Sequence, residues 1–220
     1  MTRYMLVSKS RLLPLEKRVP LTFTLTQHGS KDSFLSLRND SYIDCSGLFY
    51  RTNENEPWKQ YKFNSNSPLG ERITFTNIGD YVQFKNINST WSLSDKQFIY
   101  FVIDRTNNCL FDVSGSVQSL LNYSRFCPDY CFYNLFNSFN LQTAPSLDAE
   151  YIGKYSYANM FANCSYLTTP PKLSVKKLSE YCYYRMFEGC TSLTTAPELP
   201  ATTLTKNCYS SMFNACTSLT

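Results

Sequence analysis

Histidine is almost absent from this chain, because His28 is the only one among 220 residues. It precedes Gly29 at the end of a predicted strand, so we interpret His28 as a turn residue rather than a general base. The sequence also lacks a nucleophile elbow, a phosphate-binding glycine motif and a metalloprotease helix. We therefore expect no catalytic residue, no cofactor and no enzyme activity, although scattered Asp and Glu leave a carboxylate pair of the glycosidase type open.

Glycine and proline are scarce, with 7 and 10 residues, which argues against a disordered linker protein. No run approaches the roughly 18 apolar residues of a membrane span. The N-terminal residues contain no continuous apolar segment of the kind that a secretory signal needs. Apolar and aromatic residues are abundant instead, at 43% and 16%. A folded core without a membrane span is therefore expected.

The net charge of +4 arises entirely from residues 1–20, which we interpret as a basic N-terminal arm. Against the single acidic residue Glu16, the arm carries five basic residues, which are Arg3, Lys9, Arg11, Lys17 and Arg18. The rest of the chain is balanced in charge, so no nucleic acid partner is expected. The arm is either a docking tail for an acidic partner or a solvated, partly ordered terminus.

Residues 21–113 show the pattern of short antiparallel strands. Leu21, Phe23 and Leu25 alternate with threonines, which is typical of a half-buried strand. Seven further strands are predicted, over 33–38, 47–52, 58–63, 72–77, 81–86, 97–104 and 109–113. Short strands separated by turn residues favour a β-sandwich. Residues 114–126 then form a junction that begins with a short helical segment, 114–122.

A repeat of 26 residues dominates the C-terminal part of the chain, 127–220. Several residue types recur at this spacing and are predicted to form structural ladders, namely Met160, Met186 and Met212; Phe161, Phe187 and Phe213; Cys164, Cys190 and Cys216; and Leu167, Leu193 and Leu219. A degenerate first copy starts near Cys127 and has Phe139 in the cysteine position. Because one such unit cannot bury its apolar face alone, neighbouring units must stack.

Each repeat unit is predicted to combine a short helix with a short strand. Leu204, Cys208 and Met212 are spaced four residues apart, which places them on one face of a helix over 204–213. The stretch 190–197 reads as a turn that enters a short strand, which Pro197 limits. Together with the N-terminal strands, this predicts a mixed α/β chain of about three to four repeat units after the sandwich.

The segment from Cys182 to Leu204 reads CYYRMFEGCTSLTTAPELPATTL. It resembles the BspA-like leucine-rich repeats of surface proteins from gut bacteria and of proteins of their phages. The resemblance covers about residues 127–220, and residues 48–84 resemble the small β domain that precedes such repeats. It implies a leucine-rich-repeat-type solenoid that follows an N-terminal antiparallel β-sandwich.

The resemblance also implies a function in recognition rather than catalysis. Because no export signal is evident, we expect a phage virion appendage that contacts other virion proteins through its N-terminal region and a bacterial-surface protein or glycan through its repeats. A bacterial cell-surface adhesin is the alternative. A homo-oligomer is expected, as is usual for appendages. The sequence leaves the binding residues undefined.

Nine cysteines are present. Most of them occupy repeat positions, so free thiols in the ladders are predicted, with bridges such as Cys190 to Cys216 as the alternative for an exported protein. No metal site is predicted, because Cys127 and Cys131 have no second pair at zinc-ligand spacing.

Trp58 and Tyr184 are the aromatic residues that bear on function. Trp58 is predicted to pack in the core, with sugar stacking as the alternative. Tyr184 varies between units and is the better surface candidate. Since the third well-formed unit stops at Thr220, the array is expected to continue beyond this residue or to be covered by another subunit.

Overall fold

The computed structural model describes residues 12–29, 33–40, 42–64, 67–88, 91–92, 94–104 and 108–220. The first eleven residues of the predicted basic arm, with Arg3, Lys9 and Arg11, lie outside this described part. Within it, Leu13 is buried and its amide donates to the carbonyl of Tyr123 at 2.8 Å. The described end of the arm therefore packs against the chain that follows the N-terminal strands.

Short strands account for most of the regular secondary structure in the described ranges. They are β1 (Leu21–Gln27), β2 (Ser33–Asn39), β3 (Leu48–Arg51), β4 (Lys59–Gln60), β5 (Ile73–Phe75), β6 (Tyr81–Asn86), β7 (Ile99–Ile103), β8 (Leu110–Ser114), β9 (Phe126–Cys127), β10 (Leu141–Thr143) and β11 (Tyr151–Ile152). Two 3-10 helices, Leu15–Lys17 and Val117–Leu121, are the only helical segments there. The predicted junction helix is the second of these, and the Ser116 hydroxyl caps it by accepting from the Gln118 amide.

The strands form three sheets. The largest has the order β10-β8-β1-β6-β3-β4, the second is β5-β2-β7, and β9 pairs with β11. Pairing within the first two sheets is antiparallel except between β10 and β8, which run parallel. We call residues 21–114 the two-sheet region and residues 127–220 the repeat region. The strand β10 comes from the repeat region, so the large sheet joins the two.

The alternating pattern of β1 determines which of its side chains are buried. Leu21, Phe23 and Leu25 are fully buried, while the threonines between them remain partly exposed. Phe23 in the large sheet lies 4.5 Å from Phe101 of β7, measured between ring centroids. The two larger sheets therefore pack face to face through aromatic side chains.

The predicted fold class, mixed α/β with a leucine-rich-repeat solenoid, is wrong. The structure is nearly all β, with no α-helix in the described residues, and none of its sheets forms a solenoid. The repeat region contains only strands of two or three residues, separated by long runs of turns. The regular helix and strand that the residue spacing predicts for each unit are therefore missing.

Consecutive turns replace the predicted helix, and they join one unit to the next. In the second unit, amides alternate between two kinds of acceptor. Every second amide donates to a carbonyl of the following unit, as in Tyr157 to Cys182, Asn159 to Tyr184 and Phe161 to Met186. The amides between them donate three residues back, as in Ala158 to Tyr155, Met160 to Tyr157 and Ala162 to Asn159. Each unit therefore satisfies its own turns and also holds its neighbour.

The four-residue spacing of Leu204, Cys208 and Met212 reflects these turns. In the same unit, Asn207, Ser211 and Ala215 have left-handed backbones, with φ of 51°, 55° and 58°. A left-handed residue at every fourth position is incompatible with a right-handed α-helix. A period of four residues is close to the helical period of 3.6, so the spacing alone does not distinguish these turns from a helix.

One row of side chains alternates between negative and positive charge from unit to unit. The row consists of one residue from each successive unit, namely Asp129, Lys154, Glu180 and Lys206. Each of them directly precedes the first left-handed residue of its unit. The Lys154 ammonium lies 2.9 Å from the Glu180 carboxylate. The hydrogen bond to Glu180 is the main cause that raises the pKa of Lys154, and the charge of Asp129 adds to it. This row follows one flank of the repeat region.

The cysteine prediction is wrong at one pair, because Cys127 and Cys131 form a disulfide. The other seven cysteines are free thiols. They include Cys190 and Cys216, so the alternative of a bridge between these two is not observed. The disulfide joins the end of β9 to the first turn of the repeat region. The spacing of four residues between the two cysteines does not indicate a disulfide by itself.

Candidate functional site

The predicted ladder residues lie inside the repeat region. Phe161 stacks on Phe187 at 5.7 Å and Phe187 on Phe213 at 5.9 Å, with ring planes within 3° of parallel. The other ladder members are buried in the same core, or partly buried in the last unit, namely Met160, Met186 and Met212; Cys164, Cys190 and Cys216; and Leu167, Leu193 and Leu219. These residues hold the units together and present little surface to a partner.

The cysteine ladder is a row of hydrogen-bonded thiols. The sulfurs of Cys164, Cys190 and Cys216 donate to carbonyls of the preceding unit at 3.0 to 3.1 Å. Burial raises the pKa of Cys190 to about 12, so this thiol stays protonated at neutral pH and is a poor nucleophile. The ladder is therefore structural rather than catalytic.

A partly exposed chain of aromatic rings starts at Phe98 of the two-sheet region and continues along the repeat region. We call it the tyrosine face, and it consists of Phe98, Tyr133, Tyr130, Tyr155, Tyr181 and Tyr184. Taken in that order, neighbouring ring centroids are 5.3, 6.0, 4.8, 4.6 and 5.8 Å apart. Of these residues, only Tyr184 was predicted as a surface candidate.

The middle of the tyrosine face is a column of parallel rings. Tyr130, Tyr155 and Tyr181 stack with interplanar angles of 7° and 8°. All three have left-handed backbones, with φ of 58°, 54° and 56°, so the first turn of each unit directs its tyrosine outward in the same way. Because each ring covers a face of its neighbour, the column presents ring edges and hydroxyl groups to solvent.

Polar and charged groups surround the aromatic rings. The Asn159 amide donates to the Tyr133 hydroxyl at 3.2 Å. The Arg185 guanidinium lies 5.0 Å from the centroid of the Tyr184 ring. Burial raises the pKa of the Tyr130 and Tyr133 phenols, and the negative charge of Asp95 raises both further. These phenols therefore stay protonated at neutral pH and can both donate and accept hydrogen bonds.

Trp58 lies elsewhere, on the two-sheet region, and the prediction that it packs in the core is wrong. It is partly exposed, with the Arg51 guanidinium 4.7 Å and the Lys85 ammonium 4.3 Å from its ring centroid. Trp91 is the buried tryptophan, and its indole N–H donates to the Ile99 carbonyl. Trp58 therefore forms cation–π contacts with two residues of the large sheet, Arg51 and Lys85.

The described ranges bring no group of three or more His, Cys, Asp or Glu side chains into a metal-binding arrangement. The same residues contain no helix that is long and apolar enough to cross a membrane. His28 is exposed at the end of β1.

Comparison with protein-family models, with curated proteins and with solved structures finds no match for this chain. The tyrosine face could have been found in the sequence, because Tyr155 and Tyr181 precede Tyr157 and Tyr183 by two residues and share the same repeat.

Proposed function

We propose that this protein is a non-enzymatic recognition protein, in which the two-sheet region is the attachment part and the tyrosine face of the repeat region contacts a ligand on a bacterial surface. The proposal rests on one observation, the near-parallel column of Tyr130, Tyr155 and Tyr181. Stacked tyrosines are already ordered before binding, so little side-chain entropy is lost when a ligand arrives. Tyrosine also combines apolar area with a hydroxyl group, which suits protein and glycan ligands alike.

A shared core supports a role in which the attachment part and the recognition surface belong to one packed body. Buried residues of the two-sheet region and of the repeat region belong to a single cluster. Phe101 of β7 stacks on Phe136 of the first repeat unit. The tyrosine face is therefore built on the same core as the two-sheet region.

The setting that we propose is a phage virion appendage, with other virion proteins as partners of the N-terminal region. The second candidate is a bacterial cell-surface adhesin of the BspA-like kind. The disulfide between Cys127 and Cys131 favours this candidate, because disulfides persist in oxidising, extracellular settings. Quantitative proteomics of purified phage particles and of cell envelopes from the same culture separates the two settings.

Binding itself is tested with the purified chain and whole bacterial cells. Wild-type protein carrying a fluorescent label should bind cells, and Tyr155→Ser should weaken this binding because it interrupts the column. Tyr151→Ser is the matched control, since Tyr151 is 64% exposed on β11 and lies outside the tyrosine face. Equal cell binding by Tyr155→Ser and wild type, with both folded, would remove the tyrosine face from the proposal.

A further inference from the structure

The tyrosine column ends at Tyr181, and we call the place beside Tyr181 and Asn207, where a fourth tyrosine would continue the column, the step. Tyr130, Tyr155 and Tyr181 occupy the same position in successive units, and the fourth unit has Asn207 there. Among the described residues, the Tyr181 ring has two aromatic neighbours, which are Tyr155 stacked on one face at 4.6 Å and Tyr184 edge-on at 5.8 Å. The face of Tyr181 that points towards Asn207 therefore lacks the ring that covers it in the units before.

The backbone at the step continues the arrangement of the earlier units. The Tyr181 amide donates to the Lys206 carbonyl at 3.0 Å, as the Tyr155 amide donates to the Glu180 carbonyl at 3.2 Å. Asn207 has a φ of 51°, close to the 56° of Tyr181. Only the side chain has changed, from a phenol to a small exposed amide. A fourth tyrosine ring is therefore missing beside Tyr181.

The groups around the step are polar, apart from the rings themselves. Asn207 and Lys206 are exposed, and both can form hydrogen bonds. Tyr184 presents its ring edge-on to Tyr181, with the Arg185 guanidinium beside it. A protein hot spot would be enclosed by apolar contacts that exclude water, whereas this step has one flat apolar surface bordered by amide, ammonium and phenol groups.

We propose that the step binds one sugar ring of a bacterial surface polysaccharide. The inference rests on the proposed function and specifies its ligand class. A pyranose has an apolar C–H face that matches the open face of Tyr181, and hydroxyl groups at its rim that match the Asn207 amide and the Tyr184 phenol. The sugar takes the place that a fourth tyrosine would occupy, at the stacking distance that the column already sets.

The decisive variant is Asn207→Tyr, which fills the step with the side chain that the column uses elsewhere. Tyrosine is compatible with this backbone, because Tyr130, Tyr155 and Tyr181 adopt nearly the same φ. The variant should therefore fold and melt at or above the temperature of the wild type. Ala215→Tyr is the matched control, since Ala215 is exposed in the same unit, has a φ of 58° and lies outside the column.

The experiment measures binding of the full chain to a panel of purified bacterial surface polysaccharides by biolayer interferometry, alongside the whole-cell assay. The inference expects at least one polysaccharide to bind, with affinity reduced about tenfold or more by Asn207→Tyr and by Tyr181→Ala, and unchanged by Ala215→Tyr. The affinity of Tyr181→Ala is compared with that of the wild type only if the variant keeps its thermal unfolding transition.

Three other outcomes overturn the inference. If a polysaccharide binds wild type and Asn207→Tyr equally, the step is not the sugar site, and the proposed function stands. If no polysaccharide binds but cells are still bound through the tyrosine face, the ligand is of another class, and again only the inference fails. If neither polysaccharides nor cells bind, the proposed function fails with it.

Discussion

Phe101 and Phe136 stack with their ring centroids 5.6 Å apart and their planes within 10° of parallel. Phe136 stacks in turn on Phe161 at 5.5 Å, so the phenylalanine ladder starts in β7. The Phe101 amide also donates to the Leu135 carbonyl at 3.0 Å, in the manner of the bonds between repeat units. The two-sheet region therefore covers the first unit, as a capping element does in a repeat protein.

This coupling predicts a single unfolding transition for the described body of the protein. Phe136→Ala removes a fully buried ring at the junction and should lower the free energy of unfolding by about 3–5 kcal/mol. Phe213→Ala removes the last, partly exposed ring of the ladder and should cost less. Far-UV and near-UV circular dichroism in a urea titration measure both. Two separate transitions in the wild type would contradict the shared core.

Replacement of Gly115 by alanine is predicted to destabilise the fold more than the same replacement of Gly79. Its φ is 74°, and an added Cβ would lie 1.9 Å from the Pro20 carbonyl oxygen. Gly79 has a φ of 95° but open space around it. Gly79→Ala should therefore cost about 1–2 kcal/mol for the left-handed backbone alone, and Gly115→Ala should cost clearly more, because the backbone must also move.

Thermal or urea denaturation of the two glycine variants gives the comparison. The difference between them isolates the contact with Pro20, since both positions have a positive φ. Equal destabilisation by the two substitutions would show that the approach of residue 115 to the chain before β1 is looser than the structure indicates.

Alkaline pH is predicted to destabilise the fold through its buried thiols and phenols. Burial raises the pKa of Cys182 and Cys190 to about 12, whereas an unfolded cysteine titrates near about 8.5. Above that pH the unfolded chain loses protons that the folded chain keeps, so stability falls as pH rises towards 12. Tyr61, whose pKa burial also raises to about 12, adds to the loss above about pH 10.

The melting temperature measured from pH 7 to pH 11 tests this prediction, and Cys190→Ala supplies the control. Without this thiol, the decrease in melting temperature between pH 9 and pH 11 should be smaller than in the wild type. A melting temperature that is constant over this interval would indicate that the thiols are accessible to solvent in the folded state.

The disulfide predicts a defined pattern of alkylation. Iodoacetamide added to the denatured protein without reductant should modify seven of the nine cysteines, and all nine after reduction. Peptide mapping should place the protected pair at Cys127 and Cys131. Complete modification without reductant would mean that the protein as purified lacks the bond.

Two features of this structure could be predicted from the sequence, namely the strand β1 and the side chains that stack between repeat units. Alternation of Leu21, Phe23 and Leu25 with threonine indicated β1 correctly, because one face of a strand is buried. The spacing of 26 residues identified side chains that stack between units, such as Phe161 and Phe187. Both patterns report directly on which side chains are buried, and burial has the strongest effect on sequence.

The conformation inside each repeat unit could not be predicted in the same way. A spacing of four residues fits an α-helix and also fits turns with a left-handed residue at every fourth position. The residues at those positions vary, as in Tyr181, Arg185 and Gly189, so no glycine pattern revealed the turns. The disulfide and the exposed surroundings of Trp58 depend on contacts between distant or irregular segments, which periodicity does not show.

The alternating charges of Asp129, Lys154, Glu180 and Lys206 give the array a parity that affects how its gene can change in length. Duplicating one unit, or deleting one from within the array, would place two like charges side by side, about one strand spacing of ~4.8 Å apart. Duplicating or deleting two adjacent units would leave every neighbour with the opposite sign. Changes of length in steps of two units therefore keep the charges along this flank alternating, whereas single-unit changes within the array do not.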